Sequence, residues 1–205
     1  MNGVGDPMER CRAGDRAAWA QAYRENAPRV AVFLRRLQVP ERDVEDLVQQ
    51  VFATLFTTLD RYRGEGQLST WLYGIAAHQA SRRRRLEFRW FRRRDALARE
   101  LAGFVPGSED PARAVWARTA LRTLAVALDD LPMPLRTVWV LREWEGLDTD
   151  EVGCALGLPA GTVRSRLCRA RGAVLEALRQ AGFEEAMPVE TWGRTAIGGL
   201  PLDEG

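Results

Sequence analysis

The side chains able to do chemistry are of three kinds, and two of them are poorly arranged for catalysis. Asp43, Glu45 and Asp46 form a tight carboxylate group. Near-consecutive residues at a helix start point in different directions, so these three suit capping and dipole complementation better than metal ligation or acid–base work. His78 is the single histidine, and no nucleophile motif accompanies it. Cys11, Cys154 and Cys168 are odd in number and lack C-x-x-C spacing, which suggests neither a disulfide framework nor a zinc site. The third kind is arginine. Arg82, Arg83, Arg84, Arg85, Arg89, Arg92, Arg93 and Arg94 fall close together, opposed by Glu87 alone and interleaved with Phe88, Trp90 and Phe91. That mixture suits phosphates plus base stacking on single-stranded or distorted nucleic acid. A second set, Arg164, Ser165, Cys168, Arg169 and Arg171, occupies the polar face of a helical stretch, where arginine suits bidentate contact with guanine.

Arginine abundance by itself says little. All 30 basic residues are arginine, with 28 acidic residues leaving a net charge of +2. A G+C-biased genome writes such a composition whatever the function, so the weight falls on position. The plainer reading of each cluster is a solvated face. Against it, a run as dense as Arg82 to Arg94 repels itself without an anionic partner. The 205 residues are 46% hydrophobic, which excludes a disordered tail protein. No window approaches the roughly 18 apolar residues of a membrane span, and the first residues lack the apolar core of a signal peptide. The expectation is a cytoplasmic protein without membrane insertion.

Helical periodicity dominates, and the predicted fold class is all-α. Val44, Leu47, Val48, Val51, Phe52, Leu55, Phe56 and Leu59 make one continuous apolar stripe, with Asp43 as its expected N-cap. The opposite face, Asp46, Gln49, Gln50, Ala53 and Thr57, is polar and suits solvent or a protein partner. Earlier, Trp19, Tyr23, Val30, Phe33, Leu34 and Leu37 describe one or two helices, with Pro28 as a kink or a first-turn residue. A Gly-containing loop from Arg63 to Gln67 leads to Ser69, expected to cap a helix that turns Trp71, Leu72, Ile75 and Ala76 inward. The pattern weakens between Asp95 and Ala114, whose VPGSEDPAR string has linker composition. Residues 1–94 therefore form one predicted domain, 95–114 a linker, 115–182 a second domain and 183–205 an acidic tail. In the second domain, Asp148 is the expected N-cap of a short helix carrying Val152, Ala155 and Leu156. A longer helix carries Val163, Leu167, Ala170, Val174 and Leu178. Gly157-Leu158-Pro159 between them has the length of a helix-turn-helix turn.

In this order the residues resemble a known family. DVEDLVQQVFATLF followed by LDRYRGEGQLSTWLYGIAAHQASRRRR looks like region 2 of the sigma-70 family, specifically its small extracytoplasmic-function (ECF) sigma factors. LDDLPMPLRTVWVLREWEGLDTDEVGCALGLPAGTVRSRLCRARGAVLEAL resembles their region 4. With GDRAAWAQAYRENAPRVAVFLRRL, the likeness runs from about Gly14 to Leu178 except for the linker.

The resemblance implies a bacterial transcription initiation factor that binds core RNA polymerase and directs promoter recognition, DNA melting and initiation. It implies docking on a coiled coil of the polymerase clamp through Asp46, Leu47, Gln49, Gln50 and Phe52, where the family usually has an acidic residue at the Gln50 position. Reading of the −10 element is implied for Arg63, Ser69, Thr70, Trp71, His78, Arg82, Arg83, Arg84 and Arg85. Reading of the −35 element is implied for Thr162, Arg164, Ser165, Cys168 and Arg169. The family commonly has Asn at the His78 position, Asp around Ser81 or Arg82, and an aromatic where Cys168 stands. An anti-sigma factor is the further partner that the family implies, alongside promoter DNA. No enzyme activity, metal, cofactor or small-molecule substrate is expected. The competing readings are a stand-alone helix-turn-helix regulator, which needs a dimer with two half-sites, and a metal-dependent nuclease, which needs convergent carboxylates or histidines.

Overall fold

The computed structural model describes residues 7–62, 64, 67–86 and 111–183. Among these residues all regular structure is helical. The chain divides into two compact units, Met1–Phe88 and Arg89–Gly205.

In the first unit, α1 (Pro7–Arg12) leads into α2 (Arg16–Arg36), α3 (Glu41–Thr58), a single 3₁₀ turn (Leu59–Arg61) and α4 (Leu68–Leu86). Asp15 starts α2 by accepting from the backbone N–H groups of Ala17 and Ala18 at 2.8 and 3.2 Å. Arg10 donates to the other carboxylate oxygen of Asp15 at 2.6 Å, so α1 is tied to the cap. Pro28 lies inside α2, which runs through it. The three long helices pack on one another around Val30, Phe33, Leu34, Leu47, Val51, Leu55, Leu72 and Ala76. Phe33 and Tyr73 bring their rings to 4.7 Å.

Three details differ from the sequence expectation. Helix α3 begins at Glu41 after Pro40, two residues before Asp43, because a proline fits a helix start without needing an N–H partner. Asp43, expected as the cap, is turned inward and only 4% exposed. Helix α4 begins at Leu68, so Ser69 sits in its first turn and donates to Gln67 Oε1 at 3.3 Å. Phe56, counted in the buried stripe, is 65% exposed, with its ring 5.2 Å from that of Trp19 on α2.

In the second unit, α5 (Pro111–Asp130) is followed by α6 (Met133–Trp139), a π-helical turn (Val140–Trp144), α7 (Thr149–Leu156) and α8 (Ala160–Gln180). The last four residues of the expected linker are thus the start of α5. Helices α5, α6 and α7 all pack against α8, whose Val163, Leu167, Ala170, Val174 and Leu178 are all buried. Arg136 is 1% exposed and donates to the carbonyls of Asp129 and Leu131. Those are carbonyls at the end of α5 that the helix itself leaves without donors, so the buried guanidinium closes that end. At the far end of α8, Trp116 and Phe183 meet edge to face at 5.4 Å.

Candidate nucleic-acid interface

The turn between α7 and α8 is built almost wholly by local chemistry. Asp148 caps α7 by accepting from the N–H groups of Asp150 and Glu151, both at 2.8 Å. The Asp148 N–H in turn donates to Glu151 Oε2 at 2.7 Å, completing a capping box. The helix stops at Gly157, whose φ of +63° is the left-handed conformation that glycine adopts without penalty. The N–H groups of Gly157 and Leu158 both donate to the carbonyl of Gly153. A Cβ on Gly153 would stand 2.8 Å from the Leu158 carbonyl oxygen, so that close approach requires glycine.

Helix α8 then leaves Pro159 with its apolar stripe inward and a polar row outward. Arg164, Ser165, Cys168 and Arg169 are all exposed, and Thr162 is half-buried in the first turn. Ser165 Oγ donates to the Thr162 carbonyl at 3.1 Å, and Arg169 Nε to the Ser165 carbonyl at 3.4 Å. The four exposed residues span two turns at the helix's N-terminal half, which is the part a major-groove reader presents. Arg171 departs from the sequence expectation. Its guanidinium donates twice to Glu143 Oε1, at 2.9 and 2.6 Å, and Glu143 is only 5% exposed. A buried carboxylate needs a cationic partner, so Arg171 is spent on the protein. Glu143 lies in the π turn, where the neighbouring Arg142 also donates to the Leu147 carbonyl ahead of α7.

In the first unit the candidates are split between two helices. On α3, Asp46, Gln49 and Gln50 are exposed together with Ala53, Phe56 and Thr57. Leu47 and Phe52 are buried instead, with Phe52 against the Tyr23 ring at 4.7 Å. They support the exposed row from beneath. Phe56 was missed as a surface residue because periodicity alone cannot say how completely the neighbouring helix covers a stripe.

On α4, His78 and Arg82 are exposed one turn apart and share a face. Arg83 instead donates from Nη2 to Asp43 Oδ1 at 2.6 Å. Ser69 and Thr70 are buried, while Trp71 is half-buried and packs edge to face on Tyr62 at 5.9 Å. Thr70 Oγ1 and Trp71 Nε1 are buried polar atoms with no hydrogen-bond partner among the described residues. Arg84 and Arg85 complete the last turn of α4. Arg63, the Arg89–Arg94 cluster with Phe88, Trp90 and Phe91, and the tail from 184 onward lie outside the described residues.

No group of three His, Cys, Asp or Glu side chains among the described residues could hold a metal ion. No described helix is long and apolar enough to cross a membrane.

Comparison with known proteins agrees with the two-unit geometry. The model of Sigma-70 region 2 matches residues 22–89, and that of Sigma-70, region 4 matches residues 121–174. The chain is 31% identical over 179 residues to the RNA polymerase sigma-H factor of Pseudomonas aeruginosa, covering 84% of this chain and 92% of that protein. It is 32% identical over 172 residues to the ECF RNA polymerase sigma-E factor of Escherichia coli, covering 82% and 90%. Among solved structures, CnrH in complex with the cytosolic domain of CnrY superposes with a TM-score of 0.61 at 26% identity, covering 85% of this chain and 96% of that one. The sigma factor RpoE of Bartonella quintana, solved with the anti-sigma factor NepR, shares the fold with a TM-score of 0.55 at 21% identity. The chain belongs to the sigma-70 family, in its extracytoplasmic-function group of sigma factors.

Proposed function

We propose that this chain binds core RNA polymerase and directs it to promoters, with the two units reading two separate DNA elements. The observation that carries this reading is the exposed row Arg164, Ser165, Cys168 and Arg169 on a helix held by a capped glycine turn. That row reads the −35 element, with Thr162 at its leading edge. The −10 element falls to α4 and the loop before it: Arg63, Ser69, Thr70, Trp71, His78, Arg82, Arg84 and Arg85. Thr70 Oγ1 and Trp71 Nε1, buried without a hydrogen-bond partner among the described residues, are consistent with a site that a base completes.

Polymerase docks on the exposed face of α3 through Asp46, Gln49 and Gln50, with Leu47 and Phe52 holding that face from the core. Gln50 lacks the charge that the family usually has there, so hydrogen bonding takes a larger share of the contact. Each DNA surface is modest, and polymerase makes them effective together by fixing their spacing. Promoter melting is driven by binding energy, without catalysis, metal or cofactor, and the protein works in the cytoplasm beside the polymerase. An anti-sigma factor that covers these faces is the regulatory partner.

Run-off transcription with sigma-free core polymerase on genomic promoter fragments tests the reading. Discrete start sites that depend on this chain are the expected result. Tight sequence-specific duplex binding without polymerase, and no initiation with it, would instead identify a stand-alone regulator.

A further inference from the structure

Within the α4 arginines, Arg82 and Arg83 are neighbours in sequence and opposites in setting. Arg82 is exposed, whereas the Arg83 side chain is 28% exposed and lies on a carboxylate 40 residues earlier in the chain. That carboxylate, Asp43, is buried in the first turn of α3, where the helix dipole also favours negative charge. Arg42 Nε stands 3.5 Å from its second oxygen, but from a largely exposed side chain. One turn earlier on α4, Gln79 Nε2 donates to Thr54 Oγ1 of α3 at 3.1 Å. Two side-chain ties therefore fasten the helix assigned to DNA onto the helix assigned to polymerase.

We infer that Arg83 is a positioning residue, which holds α4 on α3 through Asp43, and that Arg82 is the arginine of this pair that meets a DNA phosphate. The inference rests on the functional reading above. A phosphate could offer Arg83 the same charge-assisted bond, but taking it would strand a buried carboxylate with only a solvent-screened neighbour. Arg82 has no such carboxylate partner among the described residues and stands on the face it shares with His78.

The test uses the full chain assembled with core polymerase. It reads the slope of log affinity for promoter DNA against log salt, and the yield of melted promoter by permanganate reactivity. Each lost phosphate contact lowers that slope by about 0.7 to 0.9. Arg82→Ala is expected to show that loss. Asp43→Asn combined with Arg83→Gln removes both charges without stranding either, and is expected to keep the wild-type slope and to melt promoter. Arg83→Ala alone is expected to melt less promoter with the slope unchanged. If circular dichroism finds it unfolded, the double variant decides. A slope lowered by about 0.7 to 0.9 in the Asn/Gln variant, matching Arg82→Ala, would overturn the inference and make Arg83 a phosphate contact. A wild-type chain that never brings core to a promoter would sink the functional reading and this assignment with it, so the two failures are distinguishable.

Discussion

In both units the last described helix is long and carries exposed arginine, and a buried carboxylate fastens it: Asp43 to Arg83 in the first, Glu143 to Arg171 in the second, each at 2.6 Å. The difference lies at the other end of the helix. In the second unit, α8 is also aimed at its N-terminus by a capping box, a left-handed glycine and a close backbone approach, all within the residues from Asp148 to Pro159. In the first unit, α4 has Arg83 and Gln79 tying it to α3 over separations of 40 and 25 residues. Helix α8, proposed to read the −35 element, is therefore placed by its own turn, and α4, proposed for the −10 element, by its neighbour. A helix placed by its neighbour can respond when something docks on that neighbour; a helix placed by its own turn is set before any partner arrives.

That contrast can be broken most severely at Gly153. A Cβ there would press on the Leu158 carbonyl, so Gly153→Ala should destabilise the second unit by ~1–3 kcal/mol, the usual range for overpacking. Denaturant unfolding that follows the two units separately should leave the first unit unmoved. An unchanged second unit would mean that the turn is looser than described. Asp148→Ala removes the acceptor for two backbone N–H groups and should cost about 1 kcal/mol, again confined to the second unit.

The smallest effect is that of acid, and it should fall on the other unit. Hydrogen bonding from Arg10, aided by the Ala18 and Ala17 N–H groups, holds the Asp15 carboxyl below its ordinary 3.8. Arg35 likewise holds Glu41 below its ordinary 4.5. A carboxyl depressed in the folded state contributes stability that is complete above its unfolded value and lost as pH falls through the folded one. The stability these groups lend the first unit should therefore be constant around neutral pH and be lost below about pH 4, as thermal unfolding would show. Asp15→Asn with Glu41→Gln should flatten that dependence; an acid loss that persists in the double variant would assign it to other groups.

How much was legible in the sequence follows the same division. The five apolar residues of α8 are buried as their spacing predicts, and Asp148 caps α7 as expected, because signals for both lie within a few residues. Most of the α3 stripe is buried as well. Asp43 was misread because a local rule, carboxylate before a helix, was outweighed by an arginine 40 residues away. Arg171 followed its helical face in the sequence reading, yet Glu143, 28 residues earlier, takes it. The short α1 carries too few turns to show periodicity, and only its packing of Met8 and Cys11 reveals it. Gly153 gave no signal either, since the carbonyl that demands it belongs to the following turn.

The division of reading between the two units is tested most directly by initiation from two promoter libraries, one randomised in the upstream element and one in the downstream element. Wild type, Arg164→Ala with Arg169→Ala, and Arg82→Ala would each be assayed with core polymerase. The α8 variant should lose ~1–3 kcal/mol of discrimination per base contact in the upstream library alone. Arg82→Ala should weaken initiation without changing upstream preference. If the α8 variant kept wild-type upstream preference, or shifted the downstream element instead, the assignment of the two surfaces to two elements would be contradicted.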